Sequence, residues 1–430
     1  MPVTTVPAVS PAIPRRTVWA LGLSQLIAWG VSYYLIGVLG ERIAADLGWG
    51  MARVQGGFAL SLLVMGAVSP LAGRMMDRQG GRRVMGLGSV LLALGCLGLA
   101  LAREVVGYYA AWAVLGLAMR LTLYDAAFAA LARIGGPGAR RAMSQITLLG
   151  GLASTVFWPL GHLLAEHLGW RGACLAYAGA ALLTLPLHLL IPSGRAGAFQ
   201  AGPGAPAAPA LARDGGERRL AGALYAAIIL LLGVLNAAMS AHMITLLSGL
   251  GLGVAAAVWV ATLRGIGQSA ARLAEILSGS RMGALGLNLL ATGGLALGFV
   301  LALWSGTSVT VAVIFSLLYG AANGLTTITR GALPLVLFDH RAYGRIAGAL
   351  ITPGLLLSAV APLAYVPVIE GLGAGWAMGL GTLLAFAAFL ASLVLWWRFG
   401  RHAWERPREA CKQGAKTDVT RRPPCRSTRA

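Results

Sequence analysis

Acidic residues are scarce in this chain of 430 residues, where 14 aspartates and glutamates stand against 34 lysines and arginines. Charged residues of both signs make up 11% of the sequence, less than half of the share that is usual in soluble globular proteins. This scarcity excludes an ordinary soluble domain. The formal net charge of +20 suggests nucleic acid as a partner. Long apolar runs are incompatible with a basic soluble fold, however, so we predict no nucleic-acid binding.

Residues that commonly hold metals are also few. The chain has six histidines and four cysteines, and the cysteines show none of the close spacings of a metal site. We interpret Cys96, Cys174, Cys411 and Cys425 as inert thiols, with a soft-metalloid site as the weaker alternative, and predict neither a metal nor another cofactor. No Walker-type phosphate loop is present, which argues against direct use of ATP. A cleavable signal peptide is not expected either, because the apolar run after Arg16 exceeds the length of a signal region.

Apolar residues, in contrast, make up 57% of the sequence, and the mean hydropathy is +0.75. A helix needs about 20 apolar residues to cross the hydrocarbon core of a bilayer. Twelve such runs predict an all-α integral membrane protein with twelve transmembrane helices, six on each side of a central gap. The predicted spans lie at residues 17–40, 53–75, 83–102, 106–131, 142–165, 171–191, 220–247, 254–276, 282–303, 308–333, 344–369 and 374–397.

This division predicts two pseudo-symmetric six-helix bundles, at residues 17–191 and 220–398. The segment 192–219 between them is rich in Gly, Ala, Pro and Arg and is expected to be a flexible cytoplasmic linker. Residues 1–16 form an N-terminal tail, and residues 399–430 are expected to be a disordered basic tail. Most lysines and arginines fall in alternate loops and in the tails, which predicts a multi-pass protein of the inner (plasma) membrane with both termini in the cytoplasm. We expect a monomer in the lipid bilayer.

A charged turn occurs twice, at matching places in the two halves. Its copies are Gly73–Arg83 and Ala271–Arg281. In both copies a small residue is followed at +1 by Arg, at +4 by an acid, at +8 by Gly and at +10 by Arg. Parallel halves of six spans are a transporter architecture, in which the substrate site lies near the membrane midplane between the halves.

The first turn resembles the signature of the major facilitator superfamily between spans 2 and 3, and the chain is similar to that family over residues 17–398. The resemblance implies that the aspartate of the turn meets a helix end and arginines of the other half and stabilises the outward-open state. Since two of its arginines are Ile276 and Ser280 in the second copy, we expect the first turn to hold the halves together more strongly. The conformational residues predicted here are Gly73, Asp77, Arg78, Gly81, Arg82 and Arg83.

Further patterns separate branches of that family. Its drug exporters carry an arginine in span 4 followed by Gln-Gly, whereas Arg120 is followed here by Leu-Thr-Leu. They also carry a Gly-Pro-rich span 5, of which residues 157–161 retain little. The segment Gly169–Gly172 and the pair Gly48-Trp49 are instead similar to monocarboxylate and organic-anion branches.

Ionisable residues inside the membrane are costly and indicate function. Arg120, Asp125, Arg264 and Arg330 fall inside predicted spans, and their charges sum to a positive value. A guanidinium group binds a carboxylate or phosphate through two hydrogen bonds, so this interior suits an anionic substrate. Arg264 lies near the middle of span 8, and the resemblance to anion-transporting branches implies that it binds the substrate. The alternative is that it pairs with an acid of another helix or turns toward backbone carbonyls.

Asp125 and Arg330 lie at matching depths in spans 4 and 10, near their cytoplasmic ends. We predict an inner gate in which the two residues pair in the outward-open state and separate in the inward-open one. The alternative is a static pair of Asp125 with Arg120, Arg133 or Arg345. Five residues correspond to about 140° around a regular helix, so we expect Arg120 and Asp125 to lie on different faces.

Polar and aromatic residues at helical spacing are the remaining substrate-binding candidates. Interhelical hydrogen bonding and packing are equally good interpretations of each one. The candidates are Gln25, Trp29 and Tyr33 in span 1, Tyr124 in span 4, Asn236 and Ser240 in span 7, and Asn323 in span 10.

The sequence thus predicts a secondary active transporter, and not an enzyme, because no cluster of catalytic groups appears at one membrane face. We expect a small organic anion as substrate, alternating access as mechanism and the proton as coupling ion. One alternative is an efflux pump for a neutral or cationic toxic compound, in which Asp125 binds the charge. The other is a membrane sensor that has lost transport.

Overall fold

The computed structural model describes residues 13–194, 210–278 and 282–417, with side chains as far as residue 400. Every regular element in these ranges is a helix. Most of the predicted tail 1–16, the middle of the predicted linker 192–219 and the end of the predicted tail 399–430 lie outside the described residues.

The first half contains nine α-helices. Several are short because glycine, proline or an extended residue interrupts a predicted span. The helices are α1 (Arg15–Val31), α2 (Leu35–Leu47), α3 (Met51–Ala67), α4 (Ser69–Gln79), α5 (Gly81–Leu101), α6 (Val105–Thr122), α7 (Tyr124–Gly135), α8 (Arg140–Gly151) and α9 (Ala153–Leu189).

The described part of the second half contains six longer α-helices. Pro334, Pro353, Pro362 and Pro367 are accommodated inside them. The helices are α10 (Gly215–Gly249), α11 (Val254–Leu277), α12 (Ala284–Ala302), α13 (Val309–Leu337), α14 (Tyr343–Leu372) and α15 (Ala374–Thr417).

Broken helices account for the difference between the predicted spans and the observed elements. Eight segments of the described chain are long and apolar enough to cross a membrane, and a ninth is the pair α3 and α4, bent by 53°. One of the eight, Val105–Leu189, covers three predicted spans, the last two of which separate at Gly169, where φ is 68°. Helix α11 is outside this set because Arg264, Gln268 and Arg272 lower its hydropathy. The eight segments, the bent pair and α11 together correspond to the twelve predicted spans.

Two described helices extend beyond the predicted boundaries. Helix α10 begins at Gly215, inside the predicted linker, because the side chain of Asp214 accepts a hydrogen bond from the N–H of Glu217 at 2.7 Å and caps the helix. The residues before it are also ordered, since Leu211 N donates to the carbonyl of Val336 at 3.0 Å. Helix α15 continues to Thr417, where we expected a disordered tail from residue 399, because this stretch contains many good helix formers.

Each half has apolar clusters of its own, and one cluster is shared between the halves. In that cluster Ala72, Met76 and Phe128 of the first half pack with Tyr343 and Ala347 of the second. These residues lie at the end of the bundle that carries both charged turns, here called the inner end. It is the end that the arginine distribution predicts to face the cytoplasm. The halves are therefore packed together at the inner end.

Candidate functional site

Asp77, at the end of α4, connects the two halves. Its carboxylate accepts hydrogen bonds from the backbone N–H groups of Gly344 at 2.8 Å and Arg345 at 2.7 Å, in the first turn of α14. The first N–H groups of a helix have no partner within the helix, and the helix dipole favours a negative charge there. Arg133 also donates to the backbone carbonyl of Asp77. Asp77 therefore holds the start of α14 against α4.

Glycines allow the close approach that this contact needs. A Cβ atom at Gly73 would overlap with the carbonyl oxygen of Gly344, and one at Gly348 would lie 2.7 Å from the carbonyl oxygen of Ser69. Gly81 lies as close to α7, since a Cβ there would be 2.5 Å from the Cβ of Ala130. Side chains at these positions would separate the helices.

The arginines of the first turn behave differently from what we expected. Arg78, Arg82 and Arg83 are exposed, and within the described residues they form no hydrogen bond or ion pair with the other half. The prediction that Arg78 and Arg82 strengthen the contact between the halves stays a prediction, since this conformation shows no such contact within the described residues. The carboxylate of Asp77 and backbone groups make that contact, and the long arginine side chains extend towards solvent.

The second copy of the turn makes the equivalent contact in the opposite direction. Glu275, which corresponds to Asp77, forms an ion pair with Arg140 at 3.1 Å, at the start of α8 in the first half. Arg140 donates in addition to the carbonyl of Met282. Buried Arg272 donates to the carbonyl of Thr147 at 3.0 Å. Sequence reasoning missed these contacts, although the acid at +4 of the second copy was the signal for them.

Asp125 lies between two arginines at the interface of the halves. Arg330 donates to its carboxylate at 2.6 Å, and Arg120 lies 3.5 Å from the same oxygen. The expectation that Arg120 and Asp125 lie on different faces is wrong, because the helix breaks at Leu123, where ψ is −174°. The structure thus brings together the gate residues Asp125 and Arg330, with Arg120 as a third member.

This charge cluster is tied to neighbouring helices by neutral groups. Arg120 donates to the hydroxyl of Ser69 at 2.9 Å, and Ser69 donates to the carbonyl of Gly348 in the other half at 2.8 Å. Tyr225 donates to the carbonyl of Arg330 at 2.8 Å. A cavity of about 10 Å³, enough for one water molecule, lies among these side chains. The cluster therefore fills the space between the halves at the inner end.

Arg264 lies on α11, farther from the inner end than this cluster. Its side chain is half-buried and donates to the hydroxyl of Ser240 at 3.2 Å, and it also interacts with Tyr319. Among the described residues it has no acidic partner. A Cβ at Gly320 would overlap with the carbonyl oxygen of Arg264, so α13 holds this part of α11 closely. The guanidinium group is therefore well positioned and not neutralised.

The candidates of span 7 and span 10 form a small hydrogen-bonded group beside Arg264. The amide oxygen of Asn236 accepts from Asn323 at 3.1 Å and from Tyr319 at 3.2 Å. Ser240 is exposed and bound to Arg264, as described above. The structure therefore brings these three predicted residues to one side of the interface.

The candidates of span 1 and span 4 divide into two groups. Trp29, Tyr33 and Tyr124 are half-buried and adjoin one another, with ring centroids 5.0 Å apart for Trp29–Tyr33 and for Trp29–Tyr124. Gln25, in contrast, is fully buried and donates to the carbonyl of Thr122 at 2.7 Å. The break at Leu123 leaves this carbonyl without its helical partner, so Gln25 stabilises the break and does not line the interface.

The Gly-Trp segment before span 6 has a structural role at the opposite, outer end. The indole N–H of Trp170 donates to the carboxylate of Asp46 at 3.0 Å, and Arg171 pairs with the same oxygen. These hydrogen bonds, that of Trp170 first, lower the pKa of the Asp46 carboxyl. Trp170, Arg171 and Asp46 all belong to the first half, and they join the end of α2 to α9.

Metal-binding groups do not converge in the described part of the chain, where no cluster of three His, Cys, Asp or Glu side chains occurs. Cys96 and Cys174 are buried free thiols. The polar chemistry of the interface is therefore that of arginine, aspartate, amides and hydroxyls.

Comparison with known proteins agrees with this arrangement. The family model of the Major Facilitator Superfamily matches residues 21–362, which is most of the chain. The chain belongs to the Major Facilitator Superfamily. It is accordingly a multi-pass membrane transport protein and not an enzyme.

Individual members of the superfamily are similar over parts of the chain. Monocarboxylate transporter 11 of Mus musculus is 28% identical over 186 residues, 40% of this chain and 39% of that protein. The multidrug resistance protein MdtL of Shigella flexneri serotype 5b (strain 8401) is 32% identical over 181 residues, 41% of this chain and 45% of that protein. The chain thus matches less than half the length of these relatives.

A solved structure of the superfamily extends over nearly the whole fold. The human organic anion transporter MFSD10 (TETRAN) superimposes with a TM-score of 0.65 and 20% sequence identity, covering 88% of this chain and 99% of that chain. At this identity the similarity establishes the fold, two six-helix bundles around a central interface.

Proposed function

We propose that this transporter moves a small organic anion through the interface between its halves. Arg264 carries the proposal, because it is half-buried, held by neutral partners and not paired with an acid among the described residues. An arginine inside a membrane is costly unless a partner compensates its charge. A carboxylate does so with two charge-assisted hydrogen bonds.

Alternating access is the mechanism that the interface contacts support. Asp77, Glu275 and Asp125 each bind the opposite half at the inner end. An inward-open state requires that these contacts break, since they would otherwise cross the opening. We infer that the present conformation is closed at the inner end, and that Asp125 and Arg330 form its gate.

Proton coupling belongs to the proposal for an electrostatic reason. A membrane potential that is negative inside opposes the entry of an anion by about 2.3 kcal/mol per charge and 100 mV. A proton that moves with the anion cancels the charge and removes this cost. We place the transporter in the inner membrane as a monomer, with both termini in the cytoplasm, in accord with the arginine distribution.

The names of the relatives point to two different functions, anion transport and drug efflux. Monocarboxylate transporter 11 and the organic anion transporter MFSD10 accord with an anionic substrate, and MdtL accords with drug efflux. Efflux of a cation would need an available negative charge. Asp125 is the acid that the sequence offers for this role, and its carboxylate is already engaged by Arg330 and Arg120. The anion is therefore the better supported substrate.

Uptake into proteoliposomes tests the proposal. We expect the full chain to take up radiolabelled monocarboxylates faster when the lumen is alkaline, and expect a protonophore to abolish the stimulation. Arg264→Gln should reduce uptake at least tenfold, since a hydrogen bond to a charged group contributes about 1.5–3 kcal/mol. Arg53→Gln, at an exposed position outside the interface, is the matched control. Unchanged uptake by Arg264→Gln, or transport of the cation ethidium instead, would contradict the proposal.

A further inference from the structure

Five aromatic side chains of the first half form a continuous cluster, here called the aromatic wall. Trp29 lies 5.0 Å from Tyr33 and from Tyr124 between ring centroids, and 6.1 Å from Tyr34. Tyr33 lies 5.2 Å from Phe58 with the two rings edge to face. Such distances are those of favourable aromatic pairs. The rings of the wall therefore occupy defined positions relative to one another.

The aromatic wall differs in burial from an aromatic cluster in the second half. Phe299, Phe315 and Tyr319 of the second half also pack ring against ring, but they are 0–2% exposed and belong to a closed apolar core. All five residues of the wall keep part of their surface accessible. Core packing accounts fully for this cluster of the second half. The wall also packs on a core, since Phe58 pairs with buried Trp112 and Tyr124 stacks on buried Phe128, but its rings keep accessible faces.

Arg264 lies opposite the aromatic wall, in the other half. Both Tyr33 and Tyr34 are within electrostatic reach of its guanidinium group, and Tyr33 is within reach of Tyr319 as well. A carboxylate bound to Arg264 would thus leave the rest of the molecule against Tyr33 and Trp29. The indole N–H of Trp29 is buried and has no hydrogen-bond partner, so the wall also offers one unused donor.

The charges around the interface favour a substrate with a single negative charge. Arg330 and Arg120 are engaged by Asp125, and Arg272 is bound to Thr147 and Thr327. Arg264 alone among these interface arginines has only hydroxyl partners and is half-exposed. Arg272 is within electrostatic reach of Tyr34 and Tyr124 but is only 2% exposed, so Arg264 is the accessible guanidinium group that lacks an acid among the described residues.

We propose that the transported anion is an aromatic monocarboxylate, whose carboxylate binds Arg264 and whose ring stacks on the aromatic wall. The inference rests on the proposed function and names its substrate class. Each well-formed aromatic pair contributes about 0.5–1.5 kcal/mol beyond the area it buries, which corresponds to roughly a 2- to 13-fold gain in affinity. A flat ring in contact with Trp29 and Tyr33 gains this contribution, and a saturated ring of similar size does not.

Benzoate and cyclohexanecarboxylate test whether the ring must be aromatic, because they share charge and ring size and differ in aromaticity. In proteoliposomes with the full chain we expect a KM for benzoate about tenfold below that for cyclohexanecarboxylate. Trp29→Leu should raise the KM for benzoate and bring the two values within about threefold. Tyr33→Leu should act in the same direction, and serves as a second variant if Trp29→Leu fails to fold. Phe386→Leu, a partly exposed aromatic residue outside the wall, should keep the preference.

The outcomes distinguish this inference from the function on which it rests. If neither carboxylate is transported and Arg264→Gln has no effect, the proposed function fails. If both are transported through Arg264 with equal KM values, or if Trp29→Leu and Tyr33→Leu both keep the tenfold preference, the anion transporter stands and the aromatic substrate class is wrong.

Discussion

The carboxylate of Asp77, in the first half, accepts a hydrogen bond at 2.8 Å from the backbone N–H of Gly344, in the second half. The two residues are far apart in the chain, and we expect their contact to break when the inner end opens. Glu275 makes the corresponding contact from the second half to Arg140 of the first. The duplicated turn is thus a pair of reciprocal connections between the halves.

Replacement of Asp77 by alanine should shift the transporter towards the inward-open state. It removes two hydrogen bonds to a charged acceptor, each of about 1.5–3 kcal/mol, so the population should change at least tenfold. Distances between spin labels at the inner ends of the halves would report the change. Arg78→Ala, one residue away and without a contact in this conformation, should leave the distances unchanged. An equal effect of both variants would show that Asp77 has no special role.

A methyl group at Gly73 should have the same effect for a steric reason. The added Cβ would overlap with the carbonyl of Gly344, and forced overpacking costs about 1–3 kcal/mol. Gly73→Ala should therefore open the inner end and increase labelling of an inner-end cysteine by a thiol reagent. Gly107→Ala is the control, since nothing lies within 4 Å of a Cβ there. Normal closure of Gly73→Ala would contradict the close packing of α4 and α14.

The Asp125–Arg330 gate predicts unequal results for two single variants. Asp125→Asn leaves Arg120 and Arg330 without their acid, and breaking a buried pair costs about 3–5 kcal/mol. Arg330→Gln should be milder, because Arg120 still compensates Asp125. Both should lower the transport rate and raise the accessibility of the inner end. If each variant leaves transport and accessibility unchanged, the pair is static and not a gate.

The ion pair between Arg140 and Glu275 should stabilise the state that is closed at the inner end by a measurable amount. Arg140→Ala and Glu275→Ala should each weaken the closed state, and the double variant should weaken it by less than the sum of the two. Contacting residues typically show coupling energies of about 0.5–3 kcal/mol in such a cycle. Spin-label distances at the inner end supply the populations. Strict additivity would mean that the pair contributes nothing to closure.

The outer contact of Asp46 predicts an acid-sensitive contribution to stability. Trp170 and Arg171 lower the pKa of Asp46, so its contribution is complete above its ordinary pKa of about 4 and is lost as the pH falls through the lowered value. Purified Asp46→Asn should melt at a slightly lower temperature than wild type at pH 7. The difference should shrink as the pH falls below the ordinary pKa of the carboxyl and through the lowered one. A difference that grows in acid would have the wrong sign.

Much of the architecture followed from local properties of the sequence. Hydropathy predicted the spans, and the spacing of Gly73, Asp77 and Arg83 against their second copy predicted the repeat. These patterns are readable because a span must be apolar along its whole length, and because a repeated turn keeps its residues at fixed intervals. Broken helices were not predicted, since a helix that breaks at Leu123 is as apolar as one that continues.

The sequence by itself thus determined the membrane class, the two halves and the superfamily. Tertiary structure decided which charges meet. Arg330 contacts Asp125 across 205 residues, and Arg120 joins them only because the helix breaks between positions 120 and 125. It also separated Gln25, which satisfies a carbonyl inside one half, from Tyr33, which lies within electrostatic reach of Arg264. Partners so distant in the chain depend on how the two bundles pack, and no local pattern records that packing.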